Sequence, residues 1–204
     1  MNTKTFSLIH LEQGTEDWHA WRRKGIGASD APTIMGENPW KKRNELMSEK
    51  RTGHIVPQTH VMRRGHRLEP EARKEYETAL RRQVTPQCLQ SVKHAWLLAS
   101  VDGISADHST VVEIKCGKGA YSYSRSKGKA PQYYYAQLQH ILAVTNLDVI
   151  DYWSYQPKCP SIHIVVERDL AYIERMLHEE FEFWNEFLKT SPDDIAAAQV
   201  MLKI

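Results

Sequence analysis

In the stretch SVDGISADHSTVVEIKCG, residues 100–117, an Asp-Gly pair leads into a β-branched run interrupted by Glu113 and Lys115. A strand's period of two sends Glu113 and Lys115 to one face and Ile114 to the other, so a carboxylate and an ammonium stand side by side. Asp102, at the end of the preceding strand, adds a second carboxylate. Magnesium and manganese prefer carboxylate, carbonyl and water oxygens, and an ion that keeps its waters needs only one or two protein carboxylates. The Ile114 backbone carbonyl, between the two side chains, is a further oxygen. Lys115 would then lower the pKa of a water or stabilise charge on a phosphate in the transition state. This set suits phosphodiester hydrolysis. A solvated Glu-Lys pair on a half-exposed strand is the plainer account of the same residues, and so short a pattern arises often by chance.

Three further features bear on the choice. Glu69 stands where acids and arginines mix near a helix start, either as an added carboxylate or as a first-turn acid favouring the helix dipole. Gln137 and Gln139 lie on an otherwise apolar and aromatic helix; a buried amide needs a partner, so one of them is expected to turn toward the site. Arg22 with Ser29 sets a guanidinium near the N-terminus of a capped helix, a ready phosphate pocket.

Helices and strands must hold these groups in place. Thr15 caps a helix that carries Trp18 and Trp21 to about Lys24, Ser29 caps a short second helix ended by Gly36, and a third runs from Lys41 to Arg51. A longer helical pattern covers roughly 61–82, where Pro70 either starts a new helix or kinks a continuous one. Residues 94–101 and 110–116 read as antiparallel strands, and the Gly, Ser and Lys-rich segment 117–129 as a mobile, exposed loop. A helix over 131–144 and strands over 149–155 and 161–166 follow. The last helix, 170–188, carries Ile173, Met176, Leu177, Phe181, Trp184, Phe187 and Leu188 on one apolar stripe. This order predicts an α/β or α+β layer fold, with a small mixed central β-sheet flanked by helices. A single domain over 1–204 is expected, with helical parts at about 1–85 and 169–204 around a sheet core at 86–168.

The chain's 204 residues, 41% hydrophobic and 25% charged, are those of an ordinary globular protein. No apolar run approaches the roughly 18 residues that span a bilayer, and the start lacks a signal peptide's apolar core, so a cytoplasmic protein with no membrane partner is expected. Cys88, Cys116 and Cys159 show no CxxC spacing, which argues against a disulfide framework and a structural zinc site; reduced, buried thiols are expected. The net charge of +2 conceals an asymmetry. Basic residues gather at 22–24, 41–43, 63–67 and 115–129, while acids dominate 167–186, and a basic face of this kind suits a polyanion.

The blocks EQGTEDWHAWRRKGIGASD, RGHRLEPEARKEYE, ASVDGI, VVEIKC and YYYAQLQHIL, in this order, resemble the phage lambda exonuclease family over about residues 12–168. These are the YqaJ-type alkaline exonucleases of the PD-(D/E)xK nuclease superfamily. The resemblance implies a restriction-endonuclease-like core and a metal-dependent 5′-to-3′ exonuclease on the ends of linear duplex DNA. Its products would be 5′ mononucleotides and 3′ single-stranded tails. It also implies that Asp102, Glu113 and the Ile114 carbonyl bind metal, about two Mg2+ per site with Mn2+ as a substitute, and that Lys115 is the catalytic lysine. Glu69 would serve the second metal, directly or through water, and Gln137 would orient water or phosphate. Arg22, Ser29 and Ser100 would take the 5′ phosphate. Two residues depart from the pattern: Val101 stands where the superfamily has proline, and Gly27 where a threonine of the phosphate pocket is expected. Relatives form homotrimeric rings and hand the tail to a single-strand annealing protein, so both are implied partners.

Overall fold

A computed structural model describes residues 5–54 and 56–189. It opens with β1 (Phe6–Ile9) and α1 (Glu16–Arg23), whose cap is Thr15, accepting from the Trp18 amide at 3.3 Å. The two-residue β2 (Ile26–Gly27) precedes α2 (Ala31–Ile34) and α3 (Arg43–Thr52). The next helix, α4 (His60–Leu80), runs unbroken through Pro70, so no new helix begins there. Then come β3 (Thr85–Ser91), β4 (Leu97–Ile104), β5 (Val111–Lys115), α5 (Lys118–Lys127), α6 (Tyr135–Thr145), β6 (Val149–Ser154), β7 (Ile162–Glu167) and α7 (Leu170–Leu188).

These strands form the expected mixed sheet, in the order β1-β3-β4-β5-β6-β7, with β2 running parallel beside β4. The β5–β6 pair is parallel and is joined through α5 and α6, the crossover that a parallel pair requires. One side of the sheet is filled by Leu138, Ile141 and Leu142 of α6 and Ile173 and Met176 of α7, packed with Ala99, Val101, Ile104, Val111 and Ile150. A second core joins Ala72 and Tyr76 of α4 to Val112, Ile114 and Trp153. Helices therefore clamp β4 and β5 from two directions, which is what fixes the chemistry-bearing side chains.

Several expectations need correction. Asp102-Gly103 is not a turn after a strand ending at 101; it lies inside β4, and the reversal comes later, where the Asp107 carboxylate accepts from Ser105 and Ser109. Segment 117–129 is not a loop. Ala120, Tyr121 and Ser124 are buried, and the Tyr121 hydroxyl donates to the Pro160 carbonyl at 2.8 Å, so tertiary packing makes α5 from residues of weak propensity. On α7, Ile173, Met176 and Phe187 of the stripe are buried as expected, but Phe181 is 40% exposed and Phe183 is buried in its stead. The three cysteines are free, but only Cys88 is buried. Part of the predicted C-terminal helical region, 190–204, lies outside the described residues. Among the described residues no helix is long and apolar enough to cross a membrane.

Candidate active site

The site begins with a break in the sheet. Against β3, Thr85 pairs with Ile104 and Gln87 with Val101, so Asp102 and Gly103 together oppose Pro86 in a β-bulge. The bulge explains why Val101 and Ile104, three apart, both enter the main core. Pro86 has no N–H to offer the ladder, and the Asp102 carbonyl is instead taken by Arg73 Nε at 2.7 Å. On the other edge, the β4–β5 ladder contains only Gly103–Val112 and Ile104–Val111. Beyond these pairs the strands part, and Asp102 Oδ2 accepts the Ile114 amide at 2.7 Å in place of a backbone carbonyl. A residue in a strand points its N–H and C=O to the same edge. The Lys115 carbonyl accepts from Tyr155 on the β6 side, so the Ile114 carbonyl faces the gap vacated by β4.

Into this gap come the predicted side chains. Glu113, 2% exposed, accepts at Oε1 from Lys115 Nζ and from Gln137 Nε2, both at 2.6 Å. Lys115 also lies 4.6 Å from the Tyr134 ring centroid. Gln139, the other candidate amide, turns away and joins the Glu167 carbonyl and the Asp169 amide. Glu69 is held by Arg73 Nη2 at 2.5 Å. Burial and then the charge of Asp102 push Glu113 up to about 8 and Glu69 up to about 7. Asp102 is raised by burial. For Lys115 burial acts downward, yet the surrounding Glu113, Tyr134 and Asp102 raise it on balance. Mutually repelling carboxylates in one cleft are a standing demand for positive charge.

Glu113 Oε2 is buried with no hydrogen-bond partner among the described residues. Among those residues, no three His, Cys, Asp or Glu side chains converge closely enough to hold an ion by themselves. Asp102 and Glu113 with the Ile114 carbonyl fit a divalent cation that retains waters.

A second cluster adjoins β4 two residues before Asp102, at Ser100. Arg22 Nη2 donates to Ser29 Oγ at 2.7 Å, and its guanidinium lies over Trp18, whose Nε1 donates to Ser100 Oγ at 2.8 Å. Thus Arg22, Ser29 and Ser100 meet around Trp18. A Cβ at Gly27 would stand 3.0 Å from Arg22 Nη2, so glycine leaves room for the guanidinium where a threonine would displace it. Beneath lies a buried ion pair: Asp30 and Lys50, each 7% exposed, are 2.9 Å apart, and Lys50 also donates to the Gly25 carbonyl at 2.8 Å. Although burial opposes it, the charges of Lys50 and Arg22 lower Asp30 to about 2. Lys50→Met is expected to cost about 3 kcal/mol, because it leaves the buried Asp30 carboxylate only Arg22 at 3.4 Å and the Gly27 amide at 3.0 Å; urea unfolding measures it, and an unchanged midpoint would refute the pairing.

Residues 17–148, well over half of the chain, match the YqaJ-like viral recombinase domain. The chain belongs to the YqaJ-like viral recombinase family. All eight candidate side chains, from Arg22 to Gln137, fall inside the matched span. The protein YqaJ of Bacillus subtilis (strain 168) is similar, 29% identical over 188 residues that cover 86% of this chain and 57% of that one. This chain thus spans little more than half the length of that relative. Among solved structures, the alkaline exonuclease LHK-Exo from Laribacter hongkongensis is similar, with a TM-score of 0.76 and 27% identity over 93% of this chain and 99% of that one. LHK-Exo in complex with dAMP gives a TM-score of 0.78 at 28% identity, over 91% of this chain and all of that one. A phage-related exonuclease from Haemophilus somnus 129PT, with a TM-score of 0.59 and 11% identity over 80% of this chain and 92% of that one, shares the fold.

Within this family frame, three groups were missing from the sequence reading. Arg73 ties Glu69 to the Asp102 carbonyl, and its i,i+4 spacing from Glu69 was the available signal. Tyr134 faces Lys115, and Asp30 with Lys50 floors the Arg22 pocket. Nothing in the spacing of the last two announces them.

Proposed function

We propose that the protein is a metal-dependent 5′-to-3′ exonuclease of linear double-stranded DNA, releasing 5′ mononucleotides and leaving 3′ single-stranded tails for annealing recombination. The observation that supports this reading is that the Arg22 cluster and the acidic cleft both adjoin one strand, β4. Ser100, at the Arg22 pocket, and Asp102, at the acidic cleft, are two residues apart on β4, about 7 Å by strand rise and about the span of one extended nucleotide. A terminal phosphate held by Arg22, Ser29 and Ser100 would set the next phosphodiester beside Asp102 and Glu113, so each cut frees one nucleotide. The dAMP complex of a similar exonuclease supports the same product class.

When bound, Mg2+, in two sites or replaced by Mn2+, supplies Lewis acidity that activates water and neutralises the leaving oxygen. Asp102, Glu113 and the Ile114 carbonyl would hold it, and Glu69 would serve the second ion, directly or through water. Lys115 sets an ammonium beside the reacting phosphate and stabilises its charge. Gln137 fixes the Glu113 carboxylate through its amide. The proposed assembly is a trimeric ring threaded by duplex DNA, with a single-strand annealing protein receiving the tail.

The test is digestion of linear duplex carrying a 5′ phosphate or a 5′ hydroxyl, in Mg2+ or EDTA, beside a closed circle. Metal-dependent mononucleotide release from the phosphorylated strand alone supports the proposal, and cutting of the circle overturns it. In Arg22→Ala the preference for phosphorylated ends is expected to fall roughly tenfold or more, the worth of a charge-assisted bond. An unchanged preference would remove Arg22 from the pocket.

A further inference from the structure

An aromatic run climbs from Lys115 to the surface. The Tyr134 ring lies 4.6 Å from Lys115 Nζ, Tyr133 meets Tyr134 at 4.5 Å between centroids, and Trp40 meets Tyr133 at 4.8 Å. Both ring pairs are edge-on, with interplanar angles of 63° and 77°, so each contact takes the face of only one of its two rings. Trp40, between α2 and α3, is 73% exposed, while Asn38 Oδ1 fixes its backbone amide at 2.9 Å. An indole this exposed on an ordered backbone is not serving the core.

The surrounding charge is mixed, with Lys41, Glu45 and Glu49 lining the cavity beside Trp40. Lys41 is tied to Glu49 and Arg43 to Glu186, each at 2.7 Å, but Lys42 has no ion pair among the described residues. The same holds for Arg125 and Lys127, both exposed on α5.

We infer that Trp40, Tyr133 and Tyr134 form a stacking surface for the unpaired bases of a DNA strand passing the cleavage site. This rests on the nuclease reading for its location beside Lys115. Every base has a π-face, so such a surface binds without regard to sequence, while neighbouring cations take the phosphates. Its signature is therefore a dependence on bases at constant backbone charge.

The experiment titrates two labelled single strands of equal length, oligothymidine and its fully abasic counterpart, onto the full chain in EDTA. The wild-type protein should bind oligothymidine about tenfold more tightly than the abasic strand. Trp40→Ala and Tyr133→Ala should bind the two strands alike, and Trp40→Phe should restore most of the difference. Equal binding by wild type, or a difference that survives Trp40→Ala, overturns the inference. A change of sedimentation in Trp40→Ala with the base preference intact would assign the indole to a contact between copies and also overturn it. Failure of duplex cleavage with the base preference present would reject the nuclease reading alone.

Discussion

Glu113→Gln and Lys115→Ala are each expected to slow release of mononucleotides by about 10³-fold, the order seen when a group aimed at developing charge is removed. Glu113 is where three demands meet: it takes hydrogen bonds from Lys115 and Gln137 at Oε1 and leaves Oε2 buried with no hydrogen-bond partner among the described residues. Glutamine keeps the shape and removes the charge, so the fold should persist while divalent-ion affinity falls. Lys115→Arg should fail to rescue, because a planar guanidinium cannot replace a compact ammonium between the Tyr134 face and Glu113. Calorimetric metal titration and timed digestion of 5′-phosphorylated duplex check both points. A Lys115→Ala protein with full activity would remove lysine from the mechanism.

Stability in EDTA is expected to fall as pH rises from about 5 to 8.5, by about 10 °C or more in Tm. Glu113 is raised to about 8 and Glu69 to about 7, from an ordinary value of 4.5. Between 4.5 and those values the folded protein holds protons that the unfolded chain has released. Rising pH therefore favours unfolding across this window. A divalent ion that binds only the folded state reverses the trend, and does so more strongly at high pH, where protons no longer compete. Glu113→Gln should flatten the EDTA profile. Thermal unfolding at several pH values, with EDTA and with Mg2+, is the measurement. A flat wild-type EDTA profile would contradict the crowded-carboxylate account.

Much of this was legible in the sequence because period-two alternation is a strong signal. Thr110 to Lys115 announced both β5 and the pairing of Glu113 with Lys115, and the apolar helix around Gln137 announced a buried amide with something to meet. Strand β3 was not legible: TPQCLQS carries a proline and two glutamines, and it is a strand only because β1 and β4 flank it. The bulge at Asp102 followed it out of view, since a bulge is a relation between two strands and leaves no mark on either alone. Helix α5 was missed for the converse reason. Its glycine and serines argue locally for a loop, and the burial of Tyr121 and Ser124 outweighs them.

The parted strands also bear on engineering. Straightening β4 and replacing Pro86 with a β-branched residue would restore ladder bonds, and a search for thermostable variants would favour that change. It would also return the Ile114 amide to a backbone partner and close the opening in which Glu113 and Asp102 meet. Selection for hardiness and selection for turnover therefore pull this sheet in opposite directions at one proline.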